Sequence, residues 1–152
     1  YGDHRDLHSF PTRRSSDLMQ ADIVAIAMLD IDYFKEYNDM YGHQMGDQAL
    51  IEVGNVLRSI EKSGHIRAYR YGGDEFSIIF LNQCEDEVKR ILQLVKARVL
   101  DKKIPHAASH TGSVLSLSCG YAITHDKGGD FTQLLKEADT ALYKSKELRV
   151  RR

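Results

Sequence analysis

Two acidic residues, Asp74 and Glu75, follow a pair of glycines in the stretch RYGGDEFSIIF at residues 70–80. The glycines predict a tight hairpin between two strand-like segments, because glycine supplies the positive φ that such turns need. A third acid, Asp30, comes directly after the apolar run DIVAIAML at residues 22–29. Short connections favour this run and the hairpin as neighbours in one sheet. The three carboxylates would then lie close together.

Carboxylates crowded at one place repel one another unless a cation neutralises them. An all-oxygen set of this kind suits Mg²⁺ or Mn²⁺ rather than zinc. Gly72 and Gly73 carry no side chains, so a polyphosphate can approach the main chain of the turn closely. A hard metal that bridges carboxylates and phosphate oxygens is the usual arrangement for nucleotidyl transfer. The structural alternative is an ordinary Gly-Gly-Asp turn with solvated acids.

A second group of polar residues follows Asp30, in the stretches LDIDYFKEYND and MGD. It includes Lys35, Asn38 and Asp47. These residue types can bind a phosphate and the edge of a purine whose donors require an amide oxygen and a carboxylate. Together with the acidic hairpin, they favour a nucleotide as the ligand.

The pattern around these residues predicts the elements that must position them. Apolar residues recur at strand or helix spacing, and Gly, Asp and Asn mark the breaks. The predicted order is a buried central strand (22–29), a short helix (33–38), a loop (40–47), a helix ended by Gly64, the hairpin, a helix with an apolar stripe from Val88 to Val99, a strand (114–123) and a helix capped by Asp130. This order predicts an α+β fold in which helices cover a sheet.

The composition fits one ordinary globular domain, with 152 residues, 42% hydrophobic and 28% charged. The formal net charge of −1 offers no basic excess for binding nucleic acid by counterion release, so we expect no nucleic-acid partner. The longest apolar run, residues 23–29, is too short to cross a bilayer. We therefore expect a cytoplasmic domain, or the cytoplasmic part of a membrane protein.

The first eighteen residues, YGDHRDLHSFPTRRSSDL, show neither helical nor alternating apolar spacing. With suitable codons they back-translate into a DNA sequence that is similar to a common sequencing-library adapter along its whole length. We therefore expect Tyr1–Leu18 to be a non-native segment with few core contacts, and residues 19–152 to be the domain. The alternative is a natural basic arm in which Arg13 and Arg14 contact phosphate.

Three motifs, RYGGDEF, LDIDYFKEYNDMYGHQMGDQAL and ADTALYKSK, together resemble the GGDEF family of diguanylate cyclases over residues 22–146. The resemblance implies a nucleotide-cyclase-like, ferredoxin-related sandwich with a mainly antiparallel central sheet flanked by helices. It implies that two GTP molecules condense into cyclic di-GMP and two pyrophosphates, with Mg²⁺ or Mn²⁺, at the interface of a homodimer. The alternative is a catalytically inactive GTP-binding or dimerisation module.

The same resemblance implies a role for each matching position. The metal ligands would be Asp30, the main-chain carbonyl of Ile31, and Asp74. Asp74 and Glu75 would help to deprotonate the attacking hydroxyl. The implied substrate-binding positions are Phe34, Lys35, Asn38, His43, Asp47, Arg70, Gly72, Gly73 and Lys146.

Some of these implied roles have alternatives. Asn38 and Asp47 match the pair that reads guanine, and a carboxylate there would also repel the bare N1 of adenine. His43 could instead tie down the backbone of its loop. Arg70 could hold the hairpin or stabilise phosphate charge, and Lys146 could be an ordinary surface lysine.

The chain also departs from the family pattern. The family usually begins with a D-x-L-T-x-L-x-N-R-R segment and a helix, so we expect the first helix, and any upstream sensory or membrane domain, to be missing. The R-x-x-D product-inhibition site corresponds to SGHI at 63–66, so we expect no such site. KELRVRR replaces the usual Gly-Arg-Asn end. Arg149 or Arg151 could take over the family's arginine contact to phosphate, or the contact could be lost.

Overall fold

The computed structural model describes residues 8–9, 18 and 20–150. From residue 20 onward, the strands and helices follow one another in the order that the sequence predicts. The strands are β1 (His8–Ser9), β2 (Val24–Ile31), β3 (Ile66–Gly72), β4 (Glu75–Leu81) and β5 (Leu117–Thr124). The helices are α1 (Phe34–Tyr41), α2 (His43–Ser59), α3 (Glu85–Asp101) and α4 (Phe131–Val150).

The strands form one sheet in the order β1-β3-β4-β2-β5. β2 is antiparallel to both of its neighbours, β4 and β5, and β3 is antiparallel to β4. The short β1 pairs in parallel with β3. The mainly antiparallel α+β sandwich expected from the resemblance is therefore confirmed. β2 extends past the predicted run because Asp30 and Ile31 still pair with β5.

β2 is buried along its whole length because helices cover both faces of the sheet. Ala27 and Leu29 belong to one core cluster, which also contains the apolar residues of α2 and α3. Ile26 and Met28 belong to a second cluster with the apolar residues of α4. The predicted stripe of α3 is fully buried: Val88, Ile91, Leu92, Val95 and Val99. The buried central strand is thus confirmed.

The predicted loop at residues 40–47 is wrong. α1 continues to Tyr41, and α2 already begins at His43. The break between them is Gly42, with a φ of 89°. Gly46 is nevertheless helical, and its missing side chain makes room for Asn38: a Cβ at Gly46 would lie 1.8 Å from the Asn38 side-chain oxygen.

The hairpin and the cap of the last helix form as predicted. β3 and β4 are joined by a turn in which Gly73 has a φ of 50°. The ladder changes register between Arg70 and Gly72, which marks an irregularity just before the turn. The Asp130 carboxylate accepts main-chain hydrogen bonds from the first turn of α4, at 3.0 and 3.3 Å.

The first eighteen residues are described only in part. Leu18 is buried and belongs to the cluster that includes Ile26, so it makes the core contacts that we did not expect there. Phe10 and most of its neighbours lie outside the described residues. The non-native origin of this segment, and the domain boundary at residue 19, remain predictions.

Among the residues that the structure describes, no helix has both the length and the apolar character needed to span a membrane.

We predict that Gly120→Ala destabilises the fold. A Cβ at Gly120 would lie 2.0 Å from the main-chain nitrogen of Leu142 and 2.4 Å from the carbonyl carbon of Ala141. Main-chain atoms cannot rotate away, so α4 must shift off the sheet. We expect a loss of about 1–3 kcal/mol in the free energy of unfolding, measured by urea denaturation.

Gly112→Ala is the matched control, because a Cβ there meets nothing within 4 Å. We expect it to leave stability unchanged or slightly increased. Equal unfolding midpoints for the two variants would show that α4 does not depend on close approach at Gly120.

Candidate active site

The C-terminal end of β2 lies beside the turn of the β3–β4 hairpin. Asp30 is the register partner of Glu75. The next residue, Ile31, donates its main-chain N–H to the carbonyl of Asp74 at 3.4 Å. The antiparallel pairing therefore brings together the three acids that the sequence singled out.

Asp30 is a buried carboxylate whose charge is only partly compensated. Burial is the main reason why its pKa is raised to about 6, and Asp74 and Asp32 raise it further. Lys146 opposes the shift because its ammonium binds Oδ2 of Asp30. The other oxygen, Oδ1, is buried and has no hydrogen-bond partner within the described chain. Lys146 was predicted to line the phosphates. In the structure its ammonium contacts Asp30, which is a candidate metal ligand.

Glu75 adds to the negative charge at this position. Burial raises its pKa, and the neighbouring carboxylates Asp139 and Asp74 raise it further. A carboxylate with a raised pKa accepts a proton more readily than an ordinary surface glutamate. The chemistry that this permits is proton acceptance from a hydroxyl held close to the turn.

The donor set fits a hard divalent cation. Within residues 8–9, 18 and 20–150, no three His, Cys, Asp or Glu side chains form a group that could hold a metal ion. The predicted set has only two carboxylates, Asp30 and Asp74, and the carbonyl of Ile31. Such a set leaves positions for water and phosphate oxygens, as Mg²⁺ sites usually do. The unpartnered Oδ1 and the mutual repulsion of the acids both favour a cation here.

The tip of the hairpin is open. Gly72 and Gly73 are exposed, and a Cβ on either would meet nothing within 4 Å. The guanidinium of Arg70 donates to the carbonyl of Gly73 at 2.8 Å. Arg70 therefore holds the hairpin, which is one of the two roles considered for it, and the main chain of the turn stays accessible.

The predicted purine-reading residues lie where α1 and α2 meet. Asn38 and Asp47 are both half-buried. The side-chain oxygen of Asn38 is buried and finds no donor in the described part of the chain. The absent side chain at Gly46 makes room for it. An unfilled amide acceptor suits a ligand that offers an N–H donor.

The remaining substrate-binding candidates surround the start of α1 and α2. Phe34 is half-buried, packs against the core and stacks on Tyr37, with ring centroids 6.2 Å apart and nearly parallel. Lys35 is exposed on the first turn of α1. His43 is exposed at the first residue of α2, not in a loop. Its role in substrate binding stays a prediction.

The sequence interpretation assigned no role to Asp32, which is almost completely buried. Its two carboxylate oxygens accept hydrogen bonds from Ser116 at 2.6 Å and Ser118 at 2.5 Å. The guanidinium of Arg149 also binds it. The spacing of two between Asp30 and Asp32 was the available signal, because alternate residues of an extended chain point the same way.

His106, also missed, supports the turn that follows β2. Its side chain is fully buried, and Nε2 lies 3.2 Å from the carbonyl oxygen of Asp32 and 3.0 Å from that of Tyr33. Both neighbours are acceptors, so Nε2 carries the proton. Tyr33 has a φ of 55°, and the histidine helps to hold this left-handed residue. His106 belongs to no motif, so the sequence offered no signal for it.

Sequence comparison relates the chain to a known family. The family model described as "Diguanylate cyclase, GGDEF domain" matches residues 7–152. Diguanylate cyclase DosC of Escherichia coli K12 is 36% identical over 124 residues, which cover 81% of this chain and 26% of that protein. Cyclic di-GMP phosphodiesterase PdeR of the same strain is 33% identical over 124 residues, 82% of this chain and 18% of that protein. The chain thus spans about a quarter or less of these relatives.

Structural comparison agrees with the sequence. The crystal structure of the GGDEF domain of DgcB from Caulobacter crescentus in complex with c-di-GMP matches with a TM-score of 0.73 and 32% identity, covering 82% of this chain and 70% of that one. The active GGEEF domain of a diguanylate cyclase from Vibrio cholerae matches with a TM-score of 0.69 and 27% identity. The match covers 83% of this chain and 78% of that one. Because the family model matches nearly the whole of this chain, the chain belongs to the GGDEF-domain family of diguanylate cyclases.

Proposed function

We propose that this domain is a diguanylate cyclase that condenses two GTP molecules into cyclic di-GMP and two pyrophosphates. The observation that carries the proposal is the convergence of Asp30, Asp74 and Glu75 at the end of β2. Relatives named as diguanylate cyclases support it. Because a relative named as a phosphodiesterase matches the same share of the chain, the activity is argued from the residues and not from likeness alone.

In the proposed site, Asp30, the carbonyl of Ile31 and Asp74 hold Mg²⁺ or Mn²⁺. When bound, the cation supplies positive charge to the phosphate oxygens as negative charge develops on them. Lys146 provides a further positive charge at the same position, since its ammonium already contacts Asp30. The open main chain of Gly72 and Gly73 lets the triphosphate lie against the turn.

The reaction forms a bond between the 3′-oxygen of one GTP and the α-phosphorus of another, and pyrophosphate leaves. The 3′-hydroxyl must lose its proton as it attacks. Glu75 is the better candidate to accept it, because burial and its acidic neighbours raise its pKa, and Asp74 is the alternative. Repeating the step with the roles of the two nucleotides exchanged closes the ring.

Two GTP molecules must meet face to face, and each chain offers one pair of guanine-reading candidates, Asn38 and Asp47. We therefore propose that turnover takes place between two copies of this domain, each holding one GTP. The exposed hairpin tip leaves space for the second nucleotide. A reaction that consumes GTP would take place in the cytoplasm.

We predict that Asp74→Asn abolishes production of cyclic di-GMP and leaves the fold intact. An amide lacks the charge that holds Mg²⁺ at the turn. The measurement is incubation of the purified chain with GTP and Mg²⁺, with products resolved by mass spectrometry, beside a urea unfolding curve. Asp101→Asn, which removes an exposed carboxylate at the end of α3, is the control and should retain activity. Near-normal product from Asp74→Asn would overturn the metal assignment.

We predict that Asp47 with Asn38 sets the preference for guanine. Guanine offers its N1 hydrogen and its amino group side by side, whereas adenine presents a bare N1 that a carboxylate repels. Losing one charged acceptor costs roughly 1.5–3 kcal/mol, or about ten- to a hundredfold in discrimination. Asp47→Ser should therefore admit ATP and yield adenine-containing cyclic dinucleotides, whereas Asp47→Ala should mainly weaken GTP use.

The measurement is competition between equal concentrations of GTP and ATP, with products resolved by mass. Gln48→Ser, at an exposed neighbour on α2, controls for introducing serine into the helix. If the wild-type chain and Asp47→Ser show the same base preference, Asp47 does not read the base.

A further inference from the structure

Two ion pairs connect α4 to the end of β2. The ammonium of Lys146 binds Asp30, and the guanidinium of Arg149 binds Asp32. The acids are two residues apart at the end of a strand, and the cations are three residues apart on a helix. Each spacing places its pair on one side of its element, so the ion pairs form neighbouring links between the same two segments.

The carboxylate of Asp32 is fully engaged. Its Oδ1 accepts from Ser118 and Arg149, and its Oδ2 accepts from Ser116. Its main-chain N–H donates to the carbonyl of Ser116 at 2.9 Å. A carboxylate that is only 4% exposed requires such partners, because an unpaired buried charge is strongly destabilising.

Arg149 is held by the same turn. Its Nη1 contacts both Asp32 and the Ser118 hydroxyl, the latter at 3.4 Å. The guanidinium carbon lies 4.4 Å from the centre of the Tyr33 ring, which is a cation–π arrangement. The side chain is 17% exposed, against 32% for Lys146. The Nη1 and the flat face of Arg149 therefore contact protein groups, whereas its Nε is buried without a hydrogen-bond partner in the described part of the chain.

We propose that Arg149 is a positioning residue and not a ligand of the substrate's phosphates. By binding Asp32 and Tyr33 it fixes the turn that directly follows Ile31, whose carbonyl is a metal-ligand candidate. By anchoring the end of α4 it also keeps Lys146, one helical turn earlier, at Asp30. The inference rests on the proposed cyclase function, because the positioned groups are those of its site.

The two possible roles of Arg149 predict opposite effects for Asp32→Asn. If Arg149 binds phosphate, Asp32→Asn releases the guanidinium for that task, and GTP binding is kept or improved. If Arg149 is a positioning residue, Asp32→Asn and Arg149→Gln break the same link and impair the same step. Asp32 is not a proposed ligand of metal or nucleotide, but its charge also raises the pKa of Asp30, so its variant is read together with Arg149→Gln.

The first experiment compares the wild-type chain with Arg149→Gln, Asp32→Asn and Lys144→Gln, the last being an exposed cation on the same helix. Affinities for GTP and GMP are measured by calorimetry with Mg²⁺, and turnover by product mass. Both link variants should lower kcat and leave KM for GTP and the GTP-to-GMP affinity ratio unchanged. Lys144→Gln should match the wild type.

A loss of about ten- to a hundredfold in GTP affinity for Arg149→Gln, without loss for GMP, is the signature of one missing charged hydrogen bond to phosphate. Unchanged or tighter GTP binding by Asp32→Asn, with full turnover, would agree with that signature. Either result would overturn the positioning role.

The second experiment needs neither nucleotide nor metal. Urea midpoints are compared for Arg149→Gln, Asp32→Asn and the double variant. Because removing Arg149 leaves Asp32 as an unpaired buried charge, the double variant should unfold at a midpoint no lower than that of Arg149→Gln. Midpoint shifts that simply add would show that the two residues do not act together.

Ser118→Ala serves if Arg149→Gln does not fold, since it removes one hydrogen bond to Asp32 and keeps the arginine. It should lower kcat in the same direction as Asp32→Asn, and an unchanged kcat would contradict the proposal. Absence of any cyclic product from the wild-type chain would instead refute the proposed function. The affinity ratio and the unfolding midpoints would then still decide the role of Arg149.

Discussion

The placement of one carboxylate, that of Asp30, constrains the whole site. It stands at the end of a strand buried on both faces, and burial raises its pKa to about 6. Such a group is stable as an anion only if a cation is near, and Lys146 satisfies one of its two oxygens. The antiparallel register adds Asp74 and Glu75 beside it, which increases the need for positive charge. A divalent cation with phosphate ligands meets that need.

The turn that follows β2 is held firmly on several sides. His106 binds its carbonyl groups, two serines and Arg149 bind the Asp32 carboxylate, and Arg149 covers the Tyr33 ring. The left-handed residue Tyr33 is tolerated within these contacts. The proposed site for a metal and a triphosphate would benefit from this rigidity, because catalysis by positioning depends on fixed geometry. The tip of the hairpin, in contrast to this turn, is open and exposed. It would allow a second nucleotide to approach.

Local patterns were sufficient for much of the fold. The apolar run of β2, the stripe of α3 and the Gly-Gly hairpin each follow from period or turn chemistry alone. Gly46 was misread because glycine usually breaks helices, and the need for glycine there comes from Asn38 of the neighbouring helix, which no local pattern shows. The partner of Arg149 depends on where α4 crosses the end of β2, which no local pattern encodes. His106 lies in a segment without periodicity, so only the folded structure shows what it holds.

The account depends on the end of β2 and the hairpin turn forming one cation site, and paramagnetic Mn²⁺ tests this directly. The isotope-labelled chain is titrated with Mn²⁺, and the broadening of its amide NMR signals is mapped along the sequence. We expect the signals of Ile31, Gly73 and Asp74 to broaden first, and Asp74→Asn to remove the effect. Broadening centred on other acidic residues, or unaltered by Asp74→Asn, would contradict the account.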